Sequence, residues 1–203
     1  MYYRSGNDIQ NPYWTVANVK TTQNTDRFLG NASVSYELNH WMNISYRLGL
    51  DSYTELNSYG QNRGGVDGVA QVVLRTTSVR NTIWNNDIIL TADKNLKEEI
   101  NLKAIAGANS RRDEFAQDGI ESQGQLVFGV LEHFNFTTPS SVNSLVRTGN
   151  PNLNQNFEEN LVGLYLDLTF SYKNFLFLNA VGRNDWSSTL ERENKSLFYP
   201  GAS

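Results

Sequence analysis

The most constraining feature of this chain is an alternation of apolar and polar residues with a period of two, kept up over unusually long stretches. Over 159–172 the even positions are Val162, Leu164, Leu166, Leu168, Phe170 and Tyr172, and they alternate with Leu161, Gly163, Tyr165, Asp167, Thr169 and Ser171. Over 41–54, Met42, Ile44, Tyr46, Leu48 and Leu50 oppose Asn43, Ser45, Arg47, Gly49 and Asp51. Over 26–38, Phe28, Ala32, Val34, Tyr36 and Leu38 oppose Asn31, Ser33, Ser35 and Glu37. Over 96–109, Leu96, Ile100, Leu102, Ala104, Ala106 and Ala108 oppose Lys97, Glu99, Asn101, Lys103 and Asn109. Segments 80–92 and 175–187 alternate more loosely. Successive side chains of a strand point to opposite faces, whereas a helix collects its apolar residues at i, i+3, i+4 and i+7. Placed on a helix, these residues would surround it, so the segments are strands.

Their length narrows the architecture. The alternation lasts about 12–14 residues per segment, against about 5–6 for the commonest strand of a soluble protein. A tilted membrane-spanning strand needs about 9–11 residues for the hydrocarbon band. The connections are asymmetric. Asn39-His40, Asp93-Lys94-Asn95 and Lys173-Asn174 read as tight hairpin turns, while 55–79 and 110–158 read as long loops. Short turns at one end and long loops at the other is the pattern of an outer-membrane barrel.

Aromatic rings flank the short turns: Tyr36 and Trp41 at the first, Tyr172 and Phe175 at the third. Such rings suit a membrane–water interface, although they also pack hairpin ends in soluble proteins. Glu98 interrupts the apolar face close to a turn, where a charge costs least. With the short turns on the periplasmic side, six strands descend and ascend in strict alternation. The apolar piece Gln125–Leu131 then belongs to the outer loop, and whether 121–137 forms loop or strand stays open.

Composition excludes several kinds of chemistry. There is no Cys, and His40 and His133 are the two histidines. Thiolate catalysis, disulfides and multi-histidine metal sites are therefore absent from this chain. The formal charge of −4 is a poor match to nucleic acid. The N-terminal residues lack the apolar core of a secretory signal. No window approaches the roughly 18 apolar residues of a membrane helix. The loop carboxylates Asp113, Glu114, Asp118, Glu121, Glu158, Glu159 and Asp185 include no pair held on a rigid frame as glycoside hydrolysis requires. Arg63-Gly64-Gly65-Val66-Asp67-Gly68 lacks the Lys-Ser/Thr of a phosphate loop. The Asn- and Asp-rich loops lack the spacing of a calcium-binding EF-hand, and Asn31-Ala32-Ser33 falls inside a strand. No catalytic residue, cofactor or metal is implied, and the chain reads as a non-enzyme.

Two sets of side chains are candidates for function. Asn43, Arg47, Asp51, Asn101, Lys103, Asp167 and Thr169 share the polar phase and are expected to face the lumen. Tyr53, Tyr59, Phe115, Phe134, Phe136 and Trp186, in or beside the outer loops, are candidates for ligand contact, with loop packing the plainer alternative for each. Phe128 belongs with them.

Near the C-terminus, Gly182-Arg183-Asn184-Asp185-Trp186-Ser187-Ser188-Thr189-Leu190, followed by Leu197-Phe198-Tyr199-Pro200-Gly201-Ala202-Ser203, resembles the SusC/RagA-type TonB-dependent outer-membrane transporters. Arg80-Asn81-Thr82-Ile83-Trp84-Asn85-Asn86-Asp87 and Ser171-Tyr172-Lys173-Asn174 look like the same family, so that the resemblance runs from about Asp26 to Ser203. It implies a plugged barrel of about 22 strands in the outer membrane of a Gram-negative bacterium. It implies import of glycans or peptides powered by TonB, with a SusD-like surface lipoprotein as partner. The expected fold class is all-β: an antiparallel up-and-down transmembrane barrel segment of about six complete strands, without plug domain or signal peptide. A soluble secreted β-sandwich, acting as a carbohydrate-binding or adhesin module, is the competing reading.

Overall fold

In the computed structural model, residues 10–65, 73–140, 153–173, 175–191 and 196–203 are described. Asn174, Val66–Gly68, Asn150–Asn152 and residues 192–195, all read from sequence as turn, loop or motif, lie outside them. A short helix α1 (Pro12–Asn18) is capped by Asn11, whose Oδ1 accepts the Tyr13 N–H at 3.0 Å. The strands are β1 (Val19–Asn39), β2 (Met42–Gln61), β3 (Val73–Lys97), β4 (Ile100–Gln125), β5 (Phe136–Ser140), β6 (Gln155–Tyr172), β7 (Leu176–Ser187) and β8 (Ser196–Ala202). They form one sheet in the order β1-β2-β3-β4-β6-β7-β8, with β5 paired to β4. Consecutive neighbours in an antiparallel up-and-down sheet are what the alternating segments predict, and the fold class is as read.

The strand ends differ from the sequence reading. β3 starts at Val73 instead of residue 80, and β4 runs on to Gln125 instead of stopping near 109. Residues 55–61, 73–79, 110–125 and 155–158, read from sequence as loop, are thus strand. The second turn falls at Glu98-Glu99, with Asp93–Asn95 inside the hairpin, where Asn101 Nδ2 donates to Asp93 Oδ1 (2.8 Å) and Asn95 Oδ1 (3.0 Å). Residues 126–131 are loop; His133–Asn135 forms a single 3-10 turn, and Phe136–Ser140 is a short strand.

The sheet divides into two compact units. One comprises Met1–Arg27, Tyr53–Asn81 and Phe115–Phe157; the other comprises Phe28–Ser52, Thr82–Glu114 and Glu158–Ser203. The second unit contains the short turns. Lys173 takes φ 50°, the left-handed conformation a tight turn demands, and its N–H donates to Glu99 O at 2.8 Å. Its Nζ lies 3.0 Å from the Glu99 carboxylate. Lys94 sits over the Trp41 ring at 4.8 Å, and Tyr172 meets Phe175 edge-on at 5.8 Å.

In this unit the even-numbered apolar residues form a band that is exposed in part, with Leu48, Leu50, Leu168 and Phe170 half-buried. Leu164 is 49% exposed and Leu166 45%, while Tyr165 between them is half-buried and Gly163 and the turn-ward Ser171 are buried. Val34, Tyr36 and Leu38 of β1, Ile44 and Tyr46 of β2, and Ile88 of β3 are exposed in the same phase. Register carries the band sideways: Leu166 faces Gly182, Leu168 Ala180 and Phe170 Leu178 across β6–β7, and Asn184 faces Phe198 across β7–β8. Counted from the short turns, the uninterrupted even-numbered apolar series runs from Leu38 to Phe28, Met42 to Leu50, Ile100 to Ala108 and Tyr172 to Val162. These series span 9 to 11 residues, the length a tilted strand needs to cross a hydrocarbon layer. The next residues in phase are polar on every one of these strands: Asp26, Ser52, Ser110 then Arg112, and Asn160 then Glu158. Two amides in the band are paired: Asn86 Oδ1 accepts from the Tyr46 hydroxyl at 2.6 Å and Asn184 Nδ2 donates to Ser196 Oγ at 2.8 Å, which offsets the cost of an apolar setting.

Apolar burial is otherwise scant. Among the described residues the buried hydrophobic side chains are Leu74, Val79, Phe136 and Leu153, all in the first unit. A soluble β-sandwich of this length buries one whole face of each sheet; here that face is bare.

Candidate ligand-facing surfaces

The odd-numbered face of the second unit carries hydrogen-bonded polar groups on β3, β4, β6 and β7, beside the exposed apolar Leu29, Phe177, Val181 and Leu197. Asn179 of β7 donates through Nδ2 to Asp167 Oδ1 (2.6 Å) and Thr169 Oγ1 (2.9 Å) of β6. Arg183 pairs with Asp185 at 2.8 Å on the same strand and lies 5.9 Å from the centre of the Tyr165 ring. Asn109 Nδ2 donates to Asp87 Oδ1 at 2.6 Å. A Cβ at Gly107 would run into the Tyr165 ring, so glycine there lets the ring lie flat over β4. The pleat explains the assembly: in-register partners of β6 and β7 are odd with odd, so Thr169 stands opposite Asn179 and Tyr165 opposite Arg183, while Val181 and Phe177 stand opposite Asp167 and Ser171.

Of the residues expected to face a lumen, Asp167 and Thr169 are brought together through Asn179, and Asn101 meets Asp93. Asn43, Arg47 and Lys103 are exposed and Asp51 is half-buried, each in the same odd phase of β2 or β4. Tyr165, Asn179, Arg183 and Asp185 are additions to that set. The signal for them was present, because extending the odd-number rule through the hairpin into β7 selects Asn179, Arg183 and Asp185.

The first unit holds most of the ligand-contact candidates. Tyr53 and Tyr59 lie within β2, and the Tyr59 hydroxyl donates to Gln61 Oε1 at 3.2 Å. Phe115 of β4 stacks on Phe157 of β6, with ring centroids 4.8 Å apart and planes 14° apart. Phe134 is 83% exposed on the 3-10 turn, and Phe128 is exposed in the preceding loop. Phe136 is a correction: it is 5% exposed and packs with Leu74 and Leu131, so it holds the loop down and offers no ring to a ligand. Trp186 is the penultimate residue of β7, beside the 188–191 turn, opposite Val162 and Ser196 and in phase with the apolar band.

The 126–136 connection is fastened by buried polar groups. Gln125 Nε2 donates to Asn62 Oδ1 (2.8 Å) and Val130 O (3.1 Å), and Asn135 Nδ2 donates to Val127 O (2.7 Å) and Val130 O (2.8 Å). Arg75 of β3 and Glu121 of β4 pair at 2.6 Å. His133 bridges both strands, with Nε2 2.8 Å from Thr76 Oγ1 and Nδ1 2.8 Å from Ser122 Oγ. Burial pushes this imidazole below its ordinary range, against a smaller opposing pull from Glu132. Hydrogen bonds from Asn57, Gln23 and Thr25 hold the Glu55 carboxylate low. Among the described residues no group of three or more potential metal ligands occurs, and no helix is long and apolar enough to cross a membrane, which leaves crossing by strands open.

An antiparallel sheet of long strands, with an apolar band in one phase and a hydrogen-bonded polar network in the other, is the arrangement of a β-barrel wall. No family model matches the sequence, and no curated protein matches it. Solved structures match the fold. The RagAB peptide transporter superposes with a TM-score of 0.80 at 14% identity, over 94% of this chain and 20% of that one. The RagAB peptide importer in its open-open state gives 0.79 at 14% identity and in its closed-closed state 0.78 at 13%, each over 20% of that chain. The chain thus spans about one fifth of the length of the structures it matches. The likeness is one of fold, and it falls on the SusC/RagA-type architecture to which the C-terminal residues point.

Proposed function

We propose that this chain is part of the wall and outer loops of an outer-membrane importer of large nutrients, with the even-numbered band against lipid and the odd-numbered polar face toward the transport path. The observation that carries this reading is the 9- to 11-residue apolar band that nothing covers. In water such a band would drive association. In a bilayer it is the required outer surface. The chain then acts by binding and conformational gating, without covalent chemistry. Peptide is the favoured cargo over glycan, because the matched structures are described as a peptide transporter and importer. The resemblance adds two partners, TonB for energy and a SusD-like surface lipoprotein for ligand capture. An isolated sheet of this kind has unpaired edges, which hydrocarbon does not tolerate, so the working protein is the closed barrel.

The test is fractionation of cells producing the full-length protein, followed by carbonate extraction. The expected result is retention in the outer-membrane pellet and release by detergent alone. Quantitative release by high salt or carbonate contradicts the reading and restores the soluble adhesin or carbohydrate-binding module.

A further inference from the structure

A groove of about 450 Å³ is cut into the apolar band of the second unit, across β6, β7 and β8. Leu164, Leu166 and Leu168 of β6 form one rim and Phe198 of β8 the other. Ala180 and Gly182 of β7 form the floor, with Asn184 at one end. The two remaining lining residues turn their side chains to the opposite face. The Tyr165 ring lies where a Cβ at Gly107 would stand, and Val181, between Ala180 and Gly182 in the pleat, sits beside Gly201, its Cβ 3.9 Å from the Cβ position there. On the groove's own face, the Cβ position of Gly182 is 3.5 and 3.6 Å from atoms of the Phe198 ring. Side-chain geometry thus sets the facing, and the rim leucines are themselves members of the band.

Depth and width select the occupant. Counted from the short turn, the rim leucines are the third to fifth of the six even positions of β6 from Tyr172 to Val162. The groove therefore runs from the middle of the band toward its loop-side end. It extends about 13 Å along the strand, within the roughly 15 Å depth of one leaflet. Its loop-side end is polar: Asn184 stands opposite Leu164 and exchanges hydrogen bonds with Ser196 at 2.8 and 3.0 Å. Trp186, next in phase, is a ring suited to the headgroup level. The two rims stand on strands about 9.6 Å apart, and the leucine and phenylalanine side chains narrow that gap. A helix, about 10–12 Å across, does not enter; a single methylene chain does. No charged residue lines the groove.

We infer that this groove seats one acyl chain of a lipid in the loop-side leaflet, with its methylenes along Ala180 and Gly182 and its linkage to the headgroup at the Asn184–Ser196 pair. The inference rests on the outer-membrane barrel reading and adds to it a lipid site on the wall. Within a bilayer no hydrophobic gain separates one apolar surface from another, so retention follows the number of close contacts. A chain on the open band touches protein on one side. In the groove it touches the floor and both rims.

The test uses the full-length protein in bilayers doped with phosphatidylethanolamine that carries a photoactivatable diazirine in one acyl chain. Labelled residues are mapped by peptide mass spectrometry. Labelling of 164–168 and 180–184 is expected to exceed that of the apolar Met42–Leu50 face of β2 by at least about fivefold. Gly182→Leu and, separately, Ala180→Leu fill the groove and are expected to lower its labelling to the Met42–Leu50 level, while heat-modifiable barrel migration is unchanged. Even labelling of the two regions, or an excess untouched by both variants, overturns the inference and leaves the barrel reading standing. Protection of the groove with co-migration of two copies on a native gel assigns this face to a second copy and also overturns it. Failure of the wild-type protein to enter the bilayer as a heat-modifiable barrel overturns both.

Discussion

Leu166→Arg is expected to prevent assembly of the full-length protein into the outer membrane, while Asp167→Asn assembles as the parent does. The two residues are adjacent, so strand propensity and chain position hardly distinguish them; the pleat does. Leu166 is the fourth residue of the apolar series when counted from the turn at Tyr172, near the middle of the band. It stands opposite Gly182, whose missing side chain leaves its flank open. An arginine at the midplane of the lipid face costs about 2–4 kcal/mol, and Gly182 offers it no counter-charge. Asp167 points the other way, where its Oδ1 accepts from Asn179 at 2.6 Å. An asparagine there keeps an acceptor oxygen. The measurement is the folded, heat-modifiable fraction in outer-membrane extracts. Equal outcomes for the two variants would contradict the facing assigned to β6.

Gly107→Ala is expected to destabilise the sheet. A Cβ at this position would occupy the space of the Tyr165 ring, well inside contact distance. The ring must leave its place above β4 and its position 5.9 Å from the Arg183 guanidinium. Overpacking of this kind costs about 1–3 kcal/mol. Tyr165→Ala in the same chain removes the obstacle, so the double variant is expected to recover most of the loss in urea unfolding. A double variant whose loss equals the sum of the two single losses would show that the ring and the glycine do not meet.

The sequence was most legible where physics imposes a one-sided environment. Between Met42 and Leu50, or Val162 and Tyr172, one face is apolar and the other polar, so each residue's identity reports its direction. Beyond the band that contrast fades. Ser110-Arg111-Arg112-Asp113-Glu114 is strand, yet reads as loop, because both sides of β4 are polar there: Arg112 pairs with Glu114 and Glu158, and Arg111 with Asp113. The same loss of contrast hid the start of β3 at Val73. Phe136 misled for a different reason. Whether a loop aromatic is bait or ballast depends on what lies beneath it, and Leu74 is some sixty residues away in the chain. Asn179 and Arg183 were within reach of the period-two rule, since in-register hairpin pairing carries the parity of β6 into β7.

The central claim is the direction of the two faces, and the absence of Cys from this chain makes it directly measurable. Single cysteines at 164, 165, 166, 167, 168 and 169 of the full-length protein, any cysteine outside this chain being replaced by serine, carry an environment-sensitive fluorophore in bilayers containing nitroxide-labelled lipid. Quenching is expected to alternate, strong at 164, 166 and 168 and weak at 165, 167 and 169. Uniform quenching, uniform protection or the opposite phase would contradict the assignment of the even-numbered face to lipid.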